Sequence, residues 1–207
     1  MQQARKLIVV PILHTAADMG KLASSVRQVT VRKLGRKGWE RNVDVIGQMW
    51  AAITQAVEGW KLPWTAVRLY QDGLPRCGRE AEIVKDLAGA GSPNHRLLLS
   101  LMQKGATLMG TESPDLLLQE YRLVKQLLAS EHGEAAAKAD AKQSARSRAL
   151  LARRDRDIAA CINSSLGPGE TGILFLGMLH SVEPHLAKDI RVMHPIRSPL
   201  PARRRRA

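Results

Sequence analysis

Five ionisable side chains follow apolar, strand-like runs in this sequence: His14, Asp72, Glu112, His180 and His194. In an open sheet of parallel strands, ligands bind beyond the carboxyl ends of the strands. We therefore expect these side chains to gather at one edge of a sheet. Two imidazoles with one or two carboxylates can hold a divalent metal that polarises water. Without a metal, a histidine and a glutamate can act as general acid and base.

Each of these residues also has a simpler interpretation. A histidine after a strand is commonly a surface or turn residue. Asp72 precedes Gly73 in a sequence typical of a turn. Glu112 precedes Ser-Pro, where a carboxylate favours the N-terminus of the next helix. The prediction of a shared site rests on their convergence.

The segment from Arg153 to Val182 carries the strongest pattern. Ile158, Ala159 and Ile162 mark one face of a helix, which the Gly-Pro-Gly sequence at 167–169 ends. The run Gly172 to Leu179 is apolar throughout, as in a strand that helices cover on both faces. Gly177 would let another group approach the backbone just before His180.

The rest of the chain alternates between strand and helix patterns. Strands are predicted at 6–13, 66–70, 106–109, 172–179 and 189–193, and helices at about 19–31, 39–59, 80–88, 94–104, 114–128 and 147–166; residues 34–38 are predicted to form a loop. This order predicts an α/β fold, a three-layer domain with a largely parallel central sheet of about five strands flanked by helices.

Length and composition bound the class of protein. The 207 residues suit one α/β domain over residues 1–197. The two cysteines form no disulfide framework or metal knuckle, and no run has the roughly 18–20 apolar residues of a membrane span. We expect a cytoplasmic protein without a membrane segment; the oligomeric state stays open.

The chain is strongly basic, with a formal net charge of +13. Residues 198–207 end in four consecutive arginines and have little to bury, so we expect a disordered basic tail that binds polyanions non-specifically. Further basic residues cluster at 32–41 and 146–156. We favour a solvated, arginine-rich surface over a dedicated nucleic-acid interface as their explanation, since the chain has no aromatic-rich basic motif.

In this chain Arg154-Asp155 stands two residues before Ile158-Ala159, and a helix, a strand and Gly177-Met178-Leu179-His180 follow. This arrangement resembles the end of proteins in the TraB/GumN, Tiki and erythromycin-esterase-like superfamily. Pro11 to His14 resembles the early Gly-x-x-His motif of that group, with Pro11 in place of glycine. Glu112 would be its glutamate by order, although it stands further along the chain. The resemblance implies a hydrolase-like site, metal-dependent in one branch and metal-independent in another.

On this basis the predicted catalytic residues are His14, Glu112, His180 and Arg154, with Asp72, Asp155 and Gly177 as substrate contacts. His14, Glu112 and His180 would activate water, and they are the ligands if a divalent metal ion is the cofactor. Arg154 would stabilise an anionic substrate or intermediate through its planar fork. The substrate would be a small molecule or a peptide. Two alternatives stay open: a non-enzymatic protein that binds a nucleotide or another anion, and a basic module that interacts with nucleic acid.

Overall fold

The centre of the molecule is a parallel sheet of five strands. The computed structural model describes residues 4–130 and 136–196. The strands are β1 (Arg5–Ile12), β2 (Val67–Gln71), β3 (Thr107–Leu108), β4 (Thr171–Gly177) and β5 (Ile190–Met193). Their order in the sheet is β3-β2-β4-β1-β5, and every pairing is parallel. All the carboxyl ends therefore lie at one edge, which confirms the predicted α/β class.

Helices cover both faces of this sheet. They are α1 (Ala23–Glu58), α2 (Glu80–Gly89), α3 (Pro93–Gln103), α4 (Pro114–Ser130) and α5 (Ala136–Ser165), with a 3₁₀ helix at Ala16–Leu22 before α1. Successive strand side chains point to opposite faces. In β1, Ile8 and Val10 pack with the core under α1, α2 and α3, whereas Leu7 and Val9 pack with the core under α5. The result is the predicted three-layer arrangement.

Helix α5 is fixed to the sheet by its apolar face. Ile158, Ala159 and Ile162 are almost fully buried and pack against Leu7 and Leu174 of the two central strands. Full burial of one such aliphatic side chain stabilises a fold by about 1.5–3 kcal/mol. The polar residues that precede this stripe on α5 are thereby held in a defined position above the sheet.

The loop predicted at 34–38 is shorter than expected, because Gly35 alone departs from helical geometry. These residues belong to α1, which continues from Ala23 to Glu58 with a kink at Gly35, where φ is 71° and ψ is 166°. Glycine adopts positive φ without steric penalty. Gly35 therefore separates two helical stretches, and Gly38 lies within the second of them. The predicted tail at 198–207 lies outside the described residues.

Candidate active site

His14 follows the last residues of β1 and is held there by its neighbours. The indole Nε1 of Trp50, which is 1% exposed, donates a hydrogen bond to the carbonyl oxygen of Leu13 at 3.0 Å. Thr15 then caps the 3₁₀ helix: its backbone N–H donates to Oδ2 of Asp18 at 2.6 Å. The backbone is thus held on both sides of His14, and 34% of the His14 side chain remains exposed.

Asp18 ties this turn to the N-terminus of α3. The Ser92 hydroxyl donates to Oδ1 of Asp18 at 2.5 Å, and Nδ1 of His95 lies 2.7 Å from the Ser92 oxygen. Burial disfavours the Asp18 charge, but the contacts from His95, Ser92 and Thr15 outweigh it and lower the pKa of Asp18 to about 2. Asp18 is therefore a buried anion that anchors the segment after His14.

Asp72, at the end of β2, lies between two histidines. Its Oδ2 atom is 3.5 Å from Nε2 of His14 and 3.5 Å from Nε2 of His180. The same oxygen accepts the Gly177 N–H at 2.8 Å, and Oδ1 accepts a hydrogen bond from the Gln71 side-chain amide at 2.9 Å. The carboxylate is 2% exposed, so these groups supply its surroundings in place of water.

The absence of a side chain at Gly177 leaves room for this arrangement. A Cβ at this position would lie 2.8 Å from Oδ2 of Asp72, 3.6 Å from Nε2 of His14 and 3.6 Å from Cδ2 of His180. The first distance is too short for a real contact. Gly177 therefore allows Asp72 to reach the backbone of β4, and the prediction that this glycine lets another group approach is confirmed.

The electrostatics of the pair make His14 a cation. Burial disfavours its charged form, but the hydrogen bond and charge of Asp72, with the nearby carboxylates of Asp18 and Glu120, raise the pKa of His14 to about 9. Burial likewise opposes the charge of Asp72, yet the two histidines and the Gly177 N–H lower its pKa. At neutral pH the site contains an imidazolium beside a carboxylate.

His180 is oriented by Asp155 of α5. Nδ1 of His180 lies 2.6 Å from Oδ1 of Asp155, whose Oδ2 accepts the Ser181 N–H at 3.1 Å. Both side chains are nearly buried, with 5% of His180 and 7% of Asp155 exposed. A carboxylate on Nδ1 fixes the ring and leaves Nε2 facing Asp72 and the space beside Gly177.

Glu112, after β3, is bound to Arg154 of α5. Nε and Nη2 of Arg154 donate to the two oxygens of Glu112 at 2.6 Å and 2.9 Å, and Nη1 donates to Glu120 of α4. Oε1 of Glu112 also accepts the Gly73 N–H at 2.6 Å. Burial opposes the charge of Arg154, but the two glutamates outweigh it and raise its pKa. Arg154 is buried, whereas its neighbours Arg153 and Arg156 are exposed.

Most of the predicted residues meet at this edge, but in two groups. His14, Asp72, His180, Asp155 and Gly177 surround one point, whereas Glu112 and Arg154 form an adjacent pair. Asp72, predicted as a substrate contact, is thus the carboxylate that faces both histidines. His194 lies apart and pairs with Glu183 at 3.0 Å. Within residues 4–130 and 136–196, no group of three or more His, Cys, Asp or Glu residues is identified as a metal site.

Two further residues belong to the site and were missed from the sequence. Glu120 contacts Arg154 and has 40% of its side chain exposed; burial of the rest, together with Glu112, raises its pKa despite Arg154. Gln71 is 1% exposed, and its Oε1 has no hydrogen-bond partner among the described residues. Glu120 lies on the amphipathic helix α4, where a glutamate is typical of the solvent-exposed face, so the sequence pattern does not distinguish it as a site residue. Gln71 is polar at the end of a buried strand, which was a usable signal.

A surface depression of about 580 Å³ lies beside this edge, between α4 and α5. Its lining includes Ser113, Gln119, Arg153 and Arg156. It therefore adjoins the Glu112–Arg154 pair through neighbouring residues, and the two histidines are not part of its lining.

Comparison of the chain with known protein families, with curated proteins and with solved structures finds no match. The described residues contain no helix of the length and apolar character needed to cross a membrane.

Proposed function

We propose that this protein is a hydrolase whose active site is the His14–Asp72–His180–Asp155 cluster. The observation that carries the proposal is the position of Asp72, whose single oxygen Oδ2 lies 3.5 Å from an Nε2 atom of each histidine. Asp72 faces both imidazoles, and His180 has a second carboxylate partner in Asp155. The two rings therefore differ in their surroundings, and one can act as an acid while the other acts as a base. Such a pair suits hydrolysis, which needs a proton removed from water and a proton given to a leaving group.

His180 is the proposed base. Asp155 holds its Nδ1, which leaves Nε2 as the atom able to accept a proton from water. Asp72 lies beside this atom and stabilises the imidazolium that forms. The role of Asp155 is thus to fix the tautomer and the ring of His180 rather than to bind substrate.

His14 is the proposed acid. Its pKa of about 9 keeps it protonated at neutral pH. Its partial exposure places the ring between Asp72 and solvent, from where a substrate would enter. The positive charge would stabilise an oxyanion as it develops, and the proton can pass to the departing group.

Arg154 has a supporting part in this proposal. Three of its five N–H donors are bound to Glu112 and Glu120, and 6% of its side chain is exposed. It holds Glu112, which in turn accepts the Gly73 N–H next to Asp72. Arg154 therefore positions the turn that carries Asp72.

The resemblance to the TraB/GumN, Tiki and erythromycin-esterase-like superfamily supports the same proposal. The resemblance rests on Arg154-Asp155 and on Gly177 to His180. In the structure these residues make contacts at the carboxyl edge of the sheet: Arg154 with Glu112, Asp155 with His180, and Gly177 with Asp72. We propose a distant relation to that group on this ground.

The metal-dependent form of the reaction, with His14, Glu112 and His180 as ligands, is not part of this proposal. Glu112 is bound to Arg154, and within residues 4–130 and 136–196 no group of three or more His, Cys, Asp or Glu residues is placed to hold a metal ion.

The test is turnover of chromogenic esters, phosphomonoesters and peptide amides by the wild type and by His180→Ala, His14→Ala and Arg153→Ala. We expect the two histidine variants to lose about 10²–10⁴-fold in rate and Arg153→Ala to stay unchanged. Elemental analysis of the same preparations tests whether the reaction is metal-free, because stoichiometric metal that is lost in both histidine variants would contradict it. Turnover that survives both histidine substitutions would reject the site.

A further inference from the structure

Helix α1 folds back on itself at Gly35. The guanidinium carbon of Arg27 lies 4.5 Å from the centre of the Trp39 ring. Twelve residues of unbroken helix would rise about 18 Å. The positive φ at Gly35 supplies the required reversal. Residues 23–34 and 36–58 therefore form two helical arms that meet at a bend.

The bend carries a dense positive charge. Residues 32–41 contain five basic residues, which are Arg32, Lys33, Arg36, Lys37 and Arg41, and one acidic residue, Glu40, so their net charge is +4. All five basic side chains are exposed. Glu40 accepts a hydrogen bond from Arg36 at 3.1 Å and offsets one of them. The fully buried residues of α1 begin at Trp50, whereas every basic residue of this cluster is exposed.

We propose that this basic bend, residues 32–41, binds the phosphate backbone of a nucleic-acid duplex. Five exposed cations within ten residues are complementary in charge to a duplex, which carries one negative charge per roughly 1.7 Å of its axis. Contacts to phosphates fix position and carry no sequence information. The bend therefore binds without sequence preference.

The aromatic content favours a duplex over a single strand. Single-strand binding relies on aromatic rings on which the bases stack. Trp39 is the aromatic residue of the bend, and Arg27 covers a face of its ring. Phosphate contact is what the remaining exposed side chains offer.

The exposed apolar residues disfavour a membrane surface as the partner. Leu34, Val43 and Val45 are 54%, 47% and 54% exposed. A helix that lies on a membrane presents its apolar residues on one face. Val43 and Val45 are two positions apart, which places them about 200° apart around the helix axis. No common apolar face results from this pair.

The experiment compares two full-length variants that each lose four positive charges. The first is Arg32→Gln, Lys33→Gln, Arg36→Gln and Lys37→Gln at the bend. The control is Lys61→Gln, Lys85→Gln, Arg122→Gln and Lys188→Gln, all exposed and spread over other elements. Because both keep the arginine tail and have the same net charge, the comparison isolates the location of the charges.

Binding to DNA and RNA duplexes of about 20 base pairs is measured by fluorescence anisotropy over a range of salt concentrations. If all four side chains contact phosphates, the negative slope of log K against log salt becomes shallower by about 3–4 in the bend variant than in the wild type. We expect a change below about one in the control. Equal losses in both variants would overturn the proposal, as would binding to anionic phospholipid vesicles without binding to either duplex.

Discussion

At the scale of single residues, the site depends on one buried carboxylate. Asp72 keeps its charge because the two histidines, a backbone N–H and a glutamine amide surround it. A buried ion costs several kcal/mol unless such partners replace water. The same contacts couple the charge of His14 to Asp72, so that neither group can be changed without affecting the other.

Gly177→Ala tests how tightly this carboxylate is packed. The new Cβ would lie 2.8 Å from Oδ2 of Asp72, so the carboxylate or β4 must shift. We expect a loss of about 1–3 kcal/mol in the free energy of unfolding, the usual effect of overpacking, together with loss of turnover. Urea denaturation measures the first.

The matched control is Gly47→Ala in α1, where a Cβ meets nothing within 4 Å. Alanine there should stabilise the helix by about 0.5–1 kcal/mol. A Gly177→Ala protein as stable as the wild type would show that the space beside Asp72 is wider than these distances indicate.

At the scale of elements, α5 joins two strand ends. Arg154 and Asp155 are adjacent in the chain, yet Arg154 reaches Glu112 after β3 and Asp155 reaches His180 after β4. Neighbouring residues point about 100° apart around a helix, so one turn can contact both. The buried stripe at Ile158 and Ile162 keeps this turn in place.

Arg154→Ala should break this link. It leaves the fully buried Glu112 without its cation, which costs roughly 3–5 kcal/mol for a buried pair. Arg153→Ala removes an exposed side chain bound to Gln119 at 3.1 Å and should cost no more than about 0.5 kcal/mol. Thermal or urea denaturation of the two variants side by side gives the comparison. Losses of similar, small size in both would contradict the structural role of Arg154.

The sequence predicts β1 and β4 because each contains a short apolar run rich in branched side chains, which is consistent with a buried strand. It also predicts which strand ends carry ionisable groups. It does not say which carboxylate faces the histidines, because Asp72 and Glu112 both follow strands. A long-range contact distinguishes them: Arg154, 42 positions from Glu112 in the chain, donates hydrogen bonds to that glutamate. The break between two helical stretches near Gly35 was predicted, but as a loop of five residues, since glycine is typical both of a loop and of a bend between helices.

At the scale of the whole molecule, the basic bend of α1 and the candidate active site differ in the sign of their charge. The formal net charge is +13, and the basic bend of α1 contributes +4 of it at exposed positions. The candidate active site has the opposite balance, with Asp72, Asp155, Glu112 and Glu120 around His14, His180 and Arg154. The carboxylates at the sheet edge therefore hold cations inside the protein, while the bend offers them to the outside.

This distribution predicts how stability depends on pH. The pKa of His14 in the folded protein, about 9, lies above its value of about 6.5 in an unfolded chain. Its contribution is therefore complete below pH 6.5 and is lost as the pH rises through 9. The lowered pKa values of Asp18 and Asp72 act in the other direction, since their contributions are present above about pH 4 and are lost in acid. We expect maximal stability between about pH 4 and 6.5.

Thermal denaturation across pH 3–10 measures this profile, and His14→Gln isolates the alkaline side. In the wild type the Tm should fall by a few degrees between pH 6.5 and 9.5; the fall is modest because 34% of the His14 side chain is exposed and solvent screens the pair. His14→Gln should have a flatter profile over that range, and NMR titration of the wild type should place the His14 pKa near 9.

Asp72→Asn should bring that pKa back towards 6.5, whereas Asp189→Asn, which removes an exposed carboxylate bound to Arg5, should not. A Tm that rises from pH 6.5 to 9.5, or an equal fall in His14→Gln, would mean that Asp72 does not hold His14 as a cation.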